Sequence, residues 1–327
     1  MTVDARILAA IRQASQTGIS GAELASRLGI SRAAVWARIE ELRQLGYCIE
    51  ASPHGGYKLV GTPDVLHADD LLARLHDQVH LIGRDIRVFE ETTSTNDIAE
   101  KLARDGVKEG VVVFAEAQRE GRGRLGRTWL SPRGKGLWFS VLLRPPCRPQ
   151  AVTQLTVAAA VATCRAIEKE TQTTCTIKWP NDIRCGELKV AGILTELAAE
   201  LDVVKHVVLG IGVNVNLTAA DLPRELKQLA TSLRIVTGRK ILRPSLAVEL
   251  LIQLDREYQK VLAGRFAEIS DEWAERCDTL GQSVRIQVGS RILLGRAEAL
   301  DSDGALLVRS QHGHLEAVTG GDVSILK

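Results

Sequence analysis

Hydrophobic positions fall into three successive patterns along the chain. Over the first sixty residues helical spacing dominates. Ile7, Leu8 and Ile11 recur at the interval of a first helix. Ser20 starts a second helix, with Glu23 completing a capping box, and Gly29 ends it after Leu24, Ala25 and Leu28. Ser31 caps a third, whose apolar stripe is Val35, Ile39 and Leu42. After Gly46 come two short strands, 47–51 and 57–60, joined by the turn Ser52-Pro53-His54-Gly55-Gly56. From 65 to 270 strands and helices alternate. Helical periodicity runs over 96–104, 151–169 and 246–262, the last bounded by Pro244 and Gly264. Strand-like runs occupy 111–115, 137–143, 176–179, 190–197 and 203–215. The last fifty residues are rich in strands, with the turn Asp301-Ser302-Asp303-Gly304 between 292–300 and 305–310.

The pattern predicts an α+β protein in three parts. Residues 1–62 form a winged helix-turn-helix, 63–277 a central domain built on a large mixed sheet, and 278–327 a small barrel. The helix-turn-helix spans 21–40, and its third helix suits a major groove. Its candidate DNA contacts are Ser31, Arg32, Ala33, Trp36 and Arg38. A helical protein-interaction module shares this shape, but caps, glycine turn and wing together favour DNA. One such unit reads DNA weakly, so two half-sites bound by a dimer are expected.

Composition narrows the class. At 327 residues the chain is too long for one ordinary core. With 42 basic and 40 acidic residues it has no large basic field, so DNA binding must be local. Its six cysteines are scattered without a C-x-x-C pair, which argues against a zinc site or a disulfide framework. The residues Met1 to Arg6 lack a signal peptide's features, and the apolar stretch 157–164 falls short of a membrane span. A cytoplasmic protein with no membrane partner is expected.

The chemistry concentrates in Gly121-Arg122-Gly123-Arg124-Leu125-Gly126-Arg127-Thr128-Trp129. From Arg119 to Lys135 there are six basic residues against one acid, Glu120. Arginine forks match phosphate and carboxylate oxygens, and glycines let backbone N–H groups approach an anion. The spacing mimics the dinucleotide fingerprint G-x-G-x-x-G, but its flanks exclude it. Polar residues separate the glycines from the preceding strand, Trp129-Leu130-Ser131-Pro132 follows instead of a helix, and Pro145-Pro146-Cys147 stands where an acid should. A P-loop is excluded because no glycine here precedes Lys-Ser or Lys-Thr.

Four polar clusters interrupt the apolar strands. Thr93-Ser94-Thr95-Asn96 opens a helix, where it either caps or binds a ligand. Glu116-Ala117-Gln118 leads into the glycine–arginine loop. Lys178-Trp179-Pro180-Asn181-Asp182 contains a turn and is followed by Lys189, a lysine carried into an apolar strand. That lysine either meets an anion or sits at the strand's wet end. Gly210-Ile211-Gly212-Val213-Asn214-Val215-Asn216 leaves one strand face bare for close approach.

The loop, the Lys-Trp-Pro-Asn-Asp run with its trailing Lys189, and Gly-x-Gly-x-Asn-x-Asn together resemble the biotin–protein ligases. With the winged helix, the chain is similar over nearly its whole length to the bifunctional ligases that also repress biotin operons. The resemblance implies a class II synthetase-like catalytic domain and an SH3-like C-terminal barrel. It implies ATP with Mg2+ and biotin as substrates, biotinyl-adenylate as intermediate, and a lysine of the biotin carboxyl carrier protein of acetyl-CoA carboxylase as acceptor. Operator DNA and an adenylate-dependent homodimer are the other implied partners. Ser94, Thr95, Asn96, Gln118, Arg122, Gly123, Arg124 and Lys189 would bind biotin, with Lys189 and Arg124 catalytic. Arg122, Arg124, Arg127, Lys178, Asn181, Asp182, Gly212 and Asn214 would bind the nucleotide. Trp129 would pack beneath the loop or line the biotin pocket. A second loop, 217–227, would cover adenine with apolar side chains, since it has no aromatic residue. The glycine–arginine loop is expected to order around the adenylate. A lipoate-type ligase lacks support because its Arg-Arg and triple-glycine signature is absent. A ligand-sensing regulator without ligase activity has no use for Lys189.

Overall fold

A computed structural model describes residues 1–53 and 55–326, in two compact units, Met1–Gln78 and Val79–Lys327. His54, in the expected wing turn, lies outside the described residues.

The first unit contains helices α1 (Val3–Ala14), α2 (Gly21–Leu28) and α3 (Arg32–Gln44), strands β1 (Cys48–Ser52) and β2 (Gly56–Gly61), and helix α4 (Ala68–Leu75). Ser20 accepts the Glu23 N–H and Ser31 that of Ala34, so both expected caps form. The Glu23 side chain bonds Arg27 one turn on instead of closing the capping box. Ile7, Leu8, Ile11, Leu24, Val35, Ile39 and Leu42 form the core, and β1 and β2 pair antiparallel. The unit does not stop at residue 62. Asp70 on α4 is 1% exposed and accepts from Arg12 of α1 at 2.5 Å and from Arg74 at 2.8 Å. Breaking such a buried pair strands a charge, at a cost of about 3–5 kcal/mol. That network binds α4 to the first unit.

The second unit is built on a seven-stranded sheet. Its elements are β3 (Asp85–Phe89), α5 (Thr95–Arg104), β4 (Val111–Ala115), β5 (Gly136–Leu143), α6 (Thr153–Thr171), β6 (Thr176–Lys178), β7 (Asp182–Cys185), β8 (Leu188–Glu200) and β9 (Val203–Asn214). Helices α7 (Leu233–Thr237), α8 (Arg243–Leu262) and α9 (Phe266–Arg276) follow. The strand order is β3-β4-β5-β9-β8-β7-β6, with β3 and β4 parallel and every other pair antiparallel. Every residue of β4 and β5 is buried, as a central strand covered on both faces requires. Arg243, at the start of α8, bonds Glu116 at the end of β4 at 2.6 Å, both nearly inaccessible. This pair ties the helix to the strand that delivers Gln118.

The chain ends in β10 (Ser283–Val288), β11 (Arg291–Leu300), β12 (Leu306–Ser310), β13 (Leu315–Val318) and β14 (Asp322–Ile325). They form an antiparallel sheet of order β13-β12-β11-β10-β14, on the core residues Val284, Ile286, Ala297, Leu306 and Val308.

Candidate active site

The second unit contains a cavity of about 570 Å³. Its floor is the face of β8 and β9. Its walls are the start of α5, the glycine–arginine loop, the β6–β7 turn, the segment after β9, and Gly321, Asp322 and Val323 of the C-terminal sheet. All the residues expected from sequence to bind biotin or nucleotide line it.

At one end is a network of hydroxyls and amides. Ser94 accepts the Asn96 N–H and so caps α5. The Gln118 oxygen accepts from the Thr95 backbone N–H at 2.8 Å and its hydroxyl at 3.1 Å, while the Gln118 amide donates to Ser131. Asn96 donates to Glu196 at 2.6 Å. Ser140, fully buried on β5, has Asn96 Oδ1 at 2.5 Å and Thr95 Oγ1 at 2.7 Å. A hydroxyl has one proton, and the Asn96 oxygen can only accept. Ser140 therefore donates to Asn96, and the one proton of the Thr95 hydroxyl is shared between Ser140 and the Gln118 oxygen, which also has the Thr95 N–H as a donor. Gly210 makes this packing possible, because a Cβ there would lie 2.3 Å from Asn96 Oδ1. The four-residue cluster thus does more than cap a helix.

At the other end the three loop arginines separate into two kinds. Arg122 donates to Asp97 at 2.5 Å and to Glu196 at 3.3 Å. Burial pulls its pKa down, but the Asp97 hydrogen bond and the charges of Glu196 and Asp97 outweigh this and hold it above its ordinary value. Arg127 donates to Asp322 at 2.5 Å. Arg124 makes no ion pair among the described residues, and its hydrogen bond to Asn181 is 3.4 Å long. Burial lowers its pKa, opposed by Asp182 and Asp322 and aided by Arg127. The guanidinium remains charged. A desolvated cation without a counter-ion favours an anion beside it.

Lys189 stands at the start of β8, its ammonium 2.6 Å from Asp182 and 5.1 Å from the centre of the Trp129 ring. Its backbone is held by Leu229 and Thr231. Asp182 is the anion that permits a lysine at the head of this apolar strand. Trp129 lies across Gly212, where a Cβ would come within 2.6 Å of the indole, and the ring lines the cavity. Lys178 lines the same region and makes no ion pair among the described residues.

Two asparagines that line the cavity also hold backbone. Asn181 donates to the Ile193 carbonyl at 2.6 Å, fixing the β6–β7 turn to β8. Asn214 donates to the Thr231 carbonyl at 3.0 Å, anchoring the segment whose Leu217, Leu222, Leu226 and Leu229 form an apolar wall. Asp221 braces that segment. Its carboxylate is held down to about 2 by the Thr218 hydroxyl and N–H and by Lys135, against the opposing effect of burial.

Asp97, Ser140 and Glu196 carry geometry that no linear motif marks. The signal available was a polar residue inside an apolar run, Ser140 in 137–143 and Glu196 in 190–197. In the first unit, Arg32 and Trp36 are exposed, Trp36 to 59%. Arg38 is engaged by Glu41 at 2.7 Å and Asp4 at 3.8 Å. Ser31 is used as a cap.

Comparison with known proteins gives three family matches. Residues 88–214 match the biotin/lipoate A/B protein ligase family, 5–58 an HTH domain, and 279–326 the biotin protein ligase C-terminal domain. The chain is 38% identical to the bifunctional ligase/repressor BirA of Bacillus spizizenii over 316 residues, 96% of this chain and 95% of that protein. It is 29% identical to BirA of Escherichia coli, over 94% of this chain and 92% of that protein. Among solved structures, the biotin protein ligase of Aquifex aeolicus in complex with biotin and ATP superposes with a TM-score of 0.64 at 30% identity. That match covers 75% of this chain and 99% of the other.

Proposed function

Since this chain belongs to the biotin protein ligases of the bifunctional ligase/repressor type, we propose the following division of labour among its residues. The protein activates biotin with ATP and transfers it to a lysine of a carrier protein, and it binds DNA as a repressor. In the first step the biotin carboxylate attacks the α-phosphorus of ATP. A carboxyl oxygen–phosphorus bond forms, the bridge to the β-phosphate breaks, and pyrophosphate leaves. In the second step a lysine amine of the carrier attacks the acyl carbon and AMP leaves.

The observation that carries this assignment is a single cavity in which a satisfied hydroxyl–amide network meets Arg124 and Lys189. Ser94, Thr95, Asn96 and Gln118 hold biotin. Arg122, Gly123 and Arg124 close over its carboxyl group. Arg124 and Lys189 stabilise the negative charge gathered at phosphorus, an effect realised most in the transition state. Lys189 exchanges its contact with Asp182 for the reacting oxygens. Arg127, Lys178 and Asp182 border the polyphosphate, and Gly212 acts through Trp129, whose ring occupies the space its missing side chain leaves. Asn181 and Asn214 act by holding the turn and the apolar wall in place. The nucleotide phosphates, with water, would hold magnesium, which would supply charge neutralisation to the leaving pyrophosphate. Among the described residues no group of three or more His, Cys, Asp or Glu forms a separate metal cage.

The acceptor is the biotin carboxyl carrier protein of acetyl-CoA carboxylase, and the reaction is cytoplasmic. None of the described helices is long and apolar enough to cross a membrane. For the DNA-binding unit, Arg32 and Trp36 face the groove beside Ala33, Ser31 fixes the helix start, and Arg38 steadies the helix through its carboxylates. Dimerisation of the adenylate-bound form is supported by β8. It runs to Glu200 while β7 pairs only with its first part, so that among the described residues the rest of that edge has no strand partner and could take a second copy. Operator affinity that is unaffected by biotin and ATP would contradict this coupling.

Incubation with ATP, radiolabelled biotin or lipoate, and a carrier-domain acceptor tests the assignment. Biotin label on the acceptor, with AMP and pyrophosphate released, is expected. Label from lipoate alone would make it a lipoate ligase. Absence of any label would leave a ligand-sensing regulator.

A further inference from the structure

One carboxylate is shared by the two halves of the site. Glu196, on β8, does not itself line the cavity. One of its oxygens accepts from Asn96 Nδ2 at 2.6 Å, and both stand 3.3 Å from Arg122 Nη2. Asn96 is 3% exposed, so the direction of its amide matters. A carboxylate only accepts, so Asn96 must turn its NH2 group to Glu196 and its oxygen to Ser140. A reversed amide would set an oxygen against a carboxylate. That choice consumes the Ser140 proton and propagates to the Thr95 hydroxyl, 2.7 Å away. The same carboxylate, with Asp97, holds Arg122 and therefore the first turn of the glycine–arginine loop. The two functions differ in environment. The amide is buried, whereas Arg122 and Glu196 are 40% and 41% exposed, so their ion pair is open to salt.

We propose that Glu196 is a positioning residue of the ligase. It fixes the amide of Asn96 in the biotin pocket and holds Arg122, so that pocket and loop keep one geometry before substrate arrives. The proposal rests on the reading of the cavity as a biotin site.

The test compares Glu196→Gln and Glu196→Asp with the full-length wild type. Biotin-dependent pyrophosphate exchange and tryptic cleavage of the substrate-free loop are measured in each. Glu196→Gln should raise the KM for biotin about tenfold, the loss of one charge-assisted bond, with kcat within about twofold. Wild-type loop cleavage should accelerate with added NaCl, because salt screens exposed pairs. In Glu196→Gln it should start faster and respond less to salt, the remaining response coming from the Arg122–Asp97 and Arg127–Asp322 pairs. Glu196→Asp, which keeps the charge, should recover part of both behaviours. Wild-type KM and wild-type loop cleavage in Glu196→Gln would overturn the proposal. So would a parallel fall in thermal stability and kcat with no change in KM or salt response, which is the signature of a merely structural residue. If wild type shows no biotin-dependent exchange while cleavage still follows Glu196, the ligase reading falls and the hold on the loop stands.

Discussion

The start of α5 and the glycine–arginine loop face each other across one cavity and are built in opposite ways. Ser94, Thr95 and Asn96 are each 3% exposed; Ser94 caps the helix through the Asn96 N–H, and Thr95 and Asn96 are held by short hydrogen bonds to Gln118, Ser140 and Glu196. In the loop, Arg127 is 64% exposed at its side chain and Leu125 is 70% exposed, with φ at +56°. A leucine in that region costs roughly 1–2 kcal/mol. The loop's ion pairs to Asp97 and Asp322 are half in water, where each contributes about 1 kcal/mol or less. A rigid network suits recognition of an uncharged ring, because its donors and acceptors need no rearrangement. A weakly held, cationic loop suits closure over an anion, because little must be broken to let it move. The guanidinium of Arg124, without an ion pair among the described residues, is the group that gains most when an anion arrives.

Substitutions rank by how directly they touch this contrast. Lys189→Ala removes a cation between the two regions and leaves Asp182 unpaired, so kcat/KM for adenylate formation should fall about 10²–10³-fold, read by pyrophosphate exchange. Arg124→Gly should speed adenylate loss about 10–100-fold, the loss of one charge-assisted contact, and leave biotin binding alone much less affected. A wild-type adenylate off-rate in that variant would show that the arginine is no clamp. Gly210→Ala drives a methyl into Asn96 Oδ1 and attacks the rigid side only. Its biotin Kd should rise about tenfold, as overpacking by 1–3 kcal/mol implies, with loop cleavage by trypsin unchanged. Arg127→Ala loses an exposed pair and should change the off-rate by about fivefold or less.

The apolar wall offers a smaller, pH-based check. The Asp221 carboxylate titrates near 2 when folded, below its ordinary 3.8. Its depressed pKa stabilises the folded form above 3.8, and that contribution disappears as pH falls toward 2. Asp221→Asn should flatten this part of the acid unfolding profile, measured by circular dichroism. An unchanged profile would show that the Thr218–Asp221 brace carries no weight.

Much of this was legible in the sequence where the relevant physics is local. Ser20 and Ser31 announced their helices because a cap needs only the next three residues. Lys189 stood out as a charge in an apolar strand, and the flanks of the glycines ruled out a dinucleotide fold. What escaped depends on partners far along the chain. The role of Glu196 appears only when β8 lies beside Asn96, 100 residues earlier. Asp70 binds α4 to the first unit, Met1–Gln78, through Arg12, 58 residues away. The three arginines look alike in sequence. Only the positions of Asp97, Glu196 and Asp322 separate the two that are ion-paired from the one that makes no ion pair among the described residues.

Amide hydrogen exchange, with and without biotin and ATP, tests the central claim that a rigid pocket is paired with a mobile clamp. Residues 94–97 should be protected already and change little on adding substrates, while exchange in 121–127 should slow by at least about tenfold. Equal protection of both segments before substrate, or a loop whose exchange ignores biotin and ATP, would contradict it.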